Sequence, residues 1–216
     1  MQPIKSHIMI YFFAIVFGYL AGSLPTGYLA ARRRGVDIRA QGSGNIGATN
    51  VFRILGWKAG VVVLLIDGLK GWIGCKGTLF FMGASGANPI WVLIAGGFAS
   101  VLGHNYTPWL RFKGGKGIAT SAGVLVGLTP WGFLGALTSF LVFLGISRMV
   151  SFGSIMAAVA LPLVVWYRQE PGPVLGVCIL MSVLAIVKHR ANIQRILNGT
   201  ESKIGQKKTG KPEVSA

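Results

Sequence analysis

Gly42-Ser43-Gly44-Asn45-Ile46-Gly47-Ala48-Thr49-Asn50 is an uncharged run between two long apolar segments, at about residues 8–31 and 59–82. Arg32, Arg33, Arg34 and Arg39 precede it and Arg53 follows. A polar, glycine-rich stretch flanked by segments long enough to cross a bilayer is a membrane-surface loop, which makes the chain a polytopic helical membrane protein. Glycine lets backbone approach a ligand closely and leaves successive N–H groups free to face an anion. Ser, Thr and Asn add short uncharged hydrogen-bonding groups, and Arg53 can clamp a phosphate with two bonds. The stretch therefore reads as a phosphate cradle, against the plainer alternative of a flexible loop. It has neither Walker A nor dinucleotide-binding spacing.

Composition agrees with the membrane reading. Of 216 residues, 52% are hydrophobic and 12% charged, about half the charged fraction of a soluble domain. Mean hydropathy is +0.62. The alternating segments of a membrane β-barrel are missing. The net charge of +16 lies between and after the apolar segments. That pattern suits a cytoplasmic membrane face handling anionic lipids or substrates, and not nucleic acid. The 32 glycines suit close helix packing. Cys75 and Cys178 lie within apolar segments and are expected to be buried packing residues. Lys5 and Ala21-Gly22-Ser23 give the N-terminus the outline of a signal peptide, but further apolar segments follow, so the first is read as an uncleaved helix.

Further apolar segments lie at about 89–110, 118–128, 131–147, 152–167 and 174–187. Pro25 is expected to kink the first, and residues 50–56 to form a short helix aimed at the Gly42–Asn50 stretch. The fourth is too short to cross a bilayer unassisted. Counting it nevertheless puts nearly every Lys and Arg loop on the cytoplasmic side, with Lys5 and Arg168 outside and Lys70 and Lys76 within the second segment. Omitting it scatters the positive loops over both faces. The positive-inside rule therefore gives an all-α protein of seven transmembrane helices, N-terminus outside and C-terminus cytoplasmic. Residues 1–204 form one membrane domain and 205–216 a basic tail expected to be disordered. This parity also lets Gly42–Asn50, His104, Gly114–Gly117, Ser151 and His189–Asn192 converge on one pocket.

Asp67 and Lys70 share a helix face and can pair, either as a functional group within the membrane or as a structural tie. Gly114-Gly115-Lys116-Gly117 offers mobile backbone donors and a lysine at a helix start, and Lys116, flanked by glycines, is favoured over Lys113. A plain basic turn is the alternative. His104 and His189 invite acid–base or metal roles, but the paired His or Cys spacing of a metal site is missing. Trp109 and Gln194 stand five residues beyond them, so the His–Asp dyad used by many glycerolipid acyltransferases is not encoded. Ser151 reads as a helix N-cap or a site residue. Glu201 either orients basic side chains or is solvated.

Three motifs together resemble the bacterial acyl-phosphate–dependent glycerol-3-phosphate acyltransferases of the PlsY type. They are Gly42–Asn50 with Arg53; Gly103-His104 with Lys113-Gly114-Gly115-Lys116-Gly117; and His189-Arg190-Ala191-Asn192-Ile193 with Asn198-Gly199-Thr200-Glu201. Order and spacing agree over about residues 8–204, and Asp67-Gly68-Leu69-Lys70-Gly71 also looks like the family's second span. The basic tail and slightly extended N-terminus depart from it.

The resemblance implies a seven-span inner-membrane enzyme with its motifs on the cytoplasmic side. It would move a fatty acyl group from acyl phosphate to the 1-hydroxyl of sn-glycerol 3-phosphate, giving lysophosphatidic acid and phosphate, the first step of phospholipid synthesis. It implies no metal or cofactor, and as partner the soluble enzyme that makes acyl phosphate. Ser43, Arg53, Lys116 and Ser151 would hold the donor's phosphoryl end, and His189 and Asn192 would hold glycerol 3-phosphate. Asn45, Thr49 and Asn50, with Gly42 and Gly44, would shape the cradle. His104, Gly114 and Gly115 would add phosphate donors, and Glu201 would order the entrance. Acyl phosphate is already activated, so no enzyme nucleophile is needed, and its own phosphate can accept the hydroxyl proton. The acyl chain would lie in a groove between apolar helices. A transporter of a phosphorylated metabolite is the competing class, disfavoured by polar groups on one face and by the lack of an internal repeat.

Overall fold

Pro25 has no backbone N–H, so it cannot donate the bond that a helix needs at its position. In the computed structural model, which describes residues 2–82 and 87–206 and side chains from residue 8 onward, α1 (Gln2–Ser23) ends before it and α2 (Thr26–Arg32) restarts after it. Following the Gly42–Asn50 stretch is α3 (Ala48–Leu55), close to the expected 50–56. Gly56, at φ 86°, then turns the chain into α4 (Trp57–Lys76). The remaining helices are α5 (Pro89–Asn105), α6 (Ile118–Leu128), α7 (Pro130–Ser147), α8 (Val150–Tyr167), α9 (Gly172–Lys188) and α10 (Arg190–Leu197). Among the described residues there is no strand, so the fold is all-helical.

Three boundaries differ from the sequence reading. The second apolar segment leaves α-geometry after Lys76 and ends in a 3₁₀ turn, Gly77–Phe81. The third stops at Asn105 because Pro108 restricts the residue before it, and Pro108–Leu110 forms one 3₁₀ turn. The region after Lys188 does not run straight into a tail: α10 bends 56° away from α9. The tail expected at 205–216 lies outside the described residues beyond 206.

α1 lies along α5, α4 along α6 and α7 along α8, while α9 joins α8 to α5 and α6. The first two contacts depend on bare backbone. A Cβ added at Gly18 would overlap the Gly96 carbonyl, and one at Gly123 would overlap the Gly68 carbonyl. This is how membrane helices gain dispersion contact where burial from water supplies little. Val101, Val124, Val165, Cys178 and Met181 form part of the central core, and both cysteines are free and buried. A second cluster, Ala31, Ile38, Ile46, Val51, Val63 and Leu110, pins the Gly42–Asn50 loop and α3 onto α4.

Among the described residues three helical stretches are long and apolar enough to cross a membrane alone, at 8–32, 130–147 and 150–167, or four if α9 and α10 count as one bent span. Large apolar side chains such as Leu141, Ile146, Leu163 and Leu180 lie exposed on the outside, as expected of a surface that meets hydrocarbon.

Candidate active site

The polar motifs, far apart in sequence, gather at one end of the helices. Gly42 and Gly44 adopt positive φ (60° and 69°), which bends residues 41–47 into a tight loop. The Asn50 side chain, almost fully buried, holds that loop. Its amide donates to the carbonyls of Ile38 (3.3 Å) and Gln41 (3.0 Å), and its oxygen accepts from the Ser43 N–H (2.9 Å). Asn45 Oδ1 accepts from the Gly47 N–H at 2.8 Å, which sets the entry to α3. Gly47, Ala48 and Thr49 thus present the positive end of α3 to the cavity, with Arg53 one turn along.

The opposite wall is organised by Glu201. Its Oε1 accepts from Ser151 Oγ and Asn192 Nδ2, each at 2.7 Å, and its Oε2 accepts from Arg195 Nε at 2.7 Å. Asn192 is thereby oriented with Oδ1 outward, where it accepts from Lys116 Nζ. Burial raises the Glu201 carboxyl, but its three donors outweigh burial and keep it below its ordinary value. Burial also lowers the Lys116 ammonium to about 8. His189 Nδ1 lies 2.7 Å from the Ala185 carbonyl. A carbonyl only accepts, so Nδ1 carries the proton and Nε2 is the ring nitrogen left for a ligand.

These walls enclose a polar cavity of about 140 Å³ lined by Ser43, Asn45, Thr49, Asn50, Arg53, Asp67, His104, Lys116, Ser151, His189, Asn192 and Glu201, among others. Leu64, Ile118, Ala119, Phe140 and Ser154 also line a second space of about 550 Å³. That space is an apolar groove between α4, α6, α7, α8 and α9, with Trp72, Phe133, Leu161 and Met181 in its walls.

Some expected site residues stand elsewhere. Gly42 and Gly44 shape the loop without lining the cavity, and Gly114 and Gly115 pack beneath it, where a Cβ would strike the His104 carbonyl and imidazole respectively. Gly117 lines the cavity instead. Ser151 is not an N-cap: Met149 holds that position in α8, and the Ser151 hydroxyl goes to Glu201. Glu201 is buried, not solvated. The cavity wall also includes Leu64, Phe140 and Ser154, and behind it Arg195, none of which the sequence reading singled out. Arg195 was discoverable as a nearby cation for one of only five acids. Apolar wall residues carry no sequence signal that separates them from core.

A family model described as glycerol-3-phosphate acyltransferase matches residues 12–199. The chain belongs to the glycerol-3-phosphate acyltransferase family. A glycerol-3-phosphate acyltransferase of Rippkaea orientalis is 46% identical over 207 residues, covering 93% of this chain and 95% of that protein. One from Geobacter sulfurreducens is 49% identical, covering 86% and 93%. The crystal structure of PlsY (YgiH), an integral membrane glycerol 3-phosphate acyltransferase, in its glycerol 3-phosphate form, has a TM-score of 0.82 at 41% identity over 90% of this chain and 96% of that one. Its lysophosphatidic acid form has a TM-score of 0.80. With this fold and its own apolar helices, the chain is an integral membrane protein of the PlsY family.

Proposed function

We propose that the protein transfers a fatty acyl group from acyl phosphate to the 1-hydroxyl of sn-glycerol 3-phosphate, releasing lysophosphatidic acid and phosphate. The observation that carries this reading is a polar cavity, with Arg53 and Lys116 in its wall, that shares Leu64, Ile118, Ala119, Phe140 and Ser154 with an adjoining apolar groove. A donor with a charged phosphate at one end and an acyl chain at the other needs both spaces and places its carbonyl between them. The relatives' names and the glycerol 3-phosphate and lysophosphatidic acid forms of PlsY support the acceptor and product.

In this reading Ser43, Thr49, Arg53, Lys116 and the first turn of α3 hold the donor phosphate, with Ser151 beside it. His189 Nε2 and the Asn192–Glu201 pair position glycerol 3-phosphate. The acceptor hydroxyl oxygen attacks the acyl carbon, the carbon–oxygen bond to phosphate breaks, and the departing phosphate takes the hydroxyl proton. Catalysis then lies in positioning and in cationic stabilisation of the developing charge. The charge distribution supports seven spans, with the N-terminus outside and the cavity facing the cytoplasm of a bacterial inner membrane. Residues 1–204 would act as one domain, and a soluble enzyme that makes acyl phosphate would supply the donor.

The test is phosphate release from purified protein given palmitoyl phosphate and glycerol 3-phosphate in the presence of EDTA. Release that requires both substrates and yields lysophosphatidic acid is expected. Folded protein that releases none, and instead carries glycerol 3-phosphate into liposomes, would replace the reading with a transporter.

A further inference from the structure

Asp67 and Lys70 lie within the second apolar segment, both buried, and the acyl-transfer chemistry above gives them no task. Lys70 Nζ is 2.8 Å from Asp67 Oδ1 and donates to the Leu24 carbonyl at 2.7 Å, at the break between α1 and α2. Ser100 Oγ of α5 donates to the Lys70 carbonyl at 3.3 Å. One turn further along α5, His104 Nδ1 comes to 3.8 Å from Asp67 Oδ1 and has no hydrogen-bond partner of its own. Asp67 and His104 both line the polar cavity.

His104 in turn holds the turn that carries Lys116. Its carbonyl accepts from the Gly115 N–H at 3.0 Å, its imidazole lies against Gly115 where a Cβ would collide with it, and the next carbonyl, of Asn105, accepts from Gly114 at 3.2 Å. Lys116 follows directly. A long flexible lysine stem is a poor instrument for placing a charge unless its backbone is fixed.

We propose that Asp67 is a positioning residue for acyl transfer: held by Lys70, its carboxylate fixes the His104 ring through a 3.8 Å contact that is not a hydrogen bond, and the His104 ring and carbonyl hold the Gly114–Gly117 turn and with it the Lys116 ammonium. The inference rests on the acyl-transfer reading of the cavity. It assigns Asp67 no contact with substrate, so its loss changes rate more than affinity.

Two variants in the full-length protein test it. Asp67→Asn keeps the shape and removes the charge. Asp67→Asn with Lys70→Met removes both charges, so no lone buried ammonium is left to unfold the protein. The readouts are thermal unfolding, kcat and KM with palmitoyl phosphate and glycerol 3-phosphate, and the rate at which an N-hydroxysuccinimide ester labels Lys116, followed by peptide mass spectrometry. The expected result is a folded double variant with kcat down by ~100-fold, as a misplacement of about an ångström produces, KM little changed, and Lys116 labelled severalfold faster. A folded variant with parental kcat and parental Lys116 labelling would overturn the inference. Failure of both variants to fold would also overturn it, showing a role in stability alone. An inactive parent with the labelling difference intact would instead overturn the acyl-transfer reading and leave the positioning chain standing.

Discussion

Replacing Glu201 by Gln tests whether one carboxylate assembles the far wall of the cavity. The side chain is 2% exposed and all three of its partners, Ser151 Oγ, Asn192 Nδ2 and Arg195 Nε, are donors at 2.7 Å. Glutamine keeps the shape but offers one acceptor oxygen where Glu201 offers two. If that oxygen stays with Ser151 and Asn192, its NH₂ faces the Arg195 guanidinium, donor against donor. Two charge-assisted bonds then become neutral at a cost of about 1 kcal/mol each. The Arg195 pair adds about 0.5 kcal/mol or less, because that partly exposed guanidinium can turn to water. The sum is about 2–2.5 kcal/mol, which corresponds to a fall of roughly 4–10 °C in melting temperature for a chain of this size. Activity is expected to fall further than stability alone requires, because the now neutral, weaker bond to Asn192 Nδ2 loosens the amide orientation that turns Asn192 Oδ1 toward Lys116. The assay pairs a fluorescence melt in detergent with kcat/KM for phosphate release. Arg195→Gln and the Glu201→Gln/Arg195→Gln double variant complete a cycle expected to show a coupling of at most about 1 kcal/mol. Parental melting and parental kcat/KM in Glu201→Gln would refute the account of the wall.

Because burial brings Lys116 to about 8, its positive charge is present below that pH and is lost as pH rises through it. The kcat/KM for phosphate release is expected to fall above about pH 8, and Lys116→Arg, which keeps its charge, to flatten that limb in a pH series. Ser43→Ala and Arg53→Ala are expected to abolish turnover while leaving melting temperature within about 1–2 °C of the parent, since surface positions contribute little to stability; both residues are exposed in the loop and on α3. Ala157→Phe places a ring in the apolar groove. It is expected to depress kcat/KM for palmitoyl phosphate more than for octanoyl phosphate in parallel assays, and equal losses for the two chains would remove the groove from the donor site.

Much of the architecture was legible along the chain because its signals are local. Apolar runs show where helices lie, and Pro25 marks the interruption of the first segment, whereas the turn at Pro108 falls inside a segment that reads as continuous. The fourth segment was read at the residues that form α6, and the Asp67–Lys70 pair follows from helical spacing alone. The three glycine- and asparagine-rich motifs, with Lys116 preferred to Lys113, also identified most of the cavity wall. Composition there departs from both apolar core and charged surface. α10 was missed because it is a short amphipathic piece in a strongly basic stretch, and its local pattern is weak beside the bilayer-length segments.

Tertiary structure alone decided what depends on distance between remote residues. Sequence spacing gives no reason for Ser151 to meet Glu201 fifty positions on, or for Lys116 to meet Asn192 seventy-six positions away. Those contacts exist because α8, α10 and the Gly114–Gly117 turn end at the same level. A groove between apolar helices is expected from the family resemblance, but its lining was equally hidden, since Leu64, Phe140, Leu161 and Met181 have the same chemistry whether they fill a core or line a space. Hydrophobic character drives burial without direction. Which apolar faces close together and which stay apart is settled by packing, here by glycines that let α4 and α6 touch backbone to backbone while the groove stays open beside them.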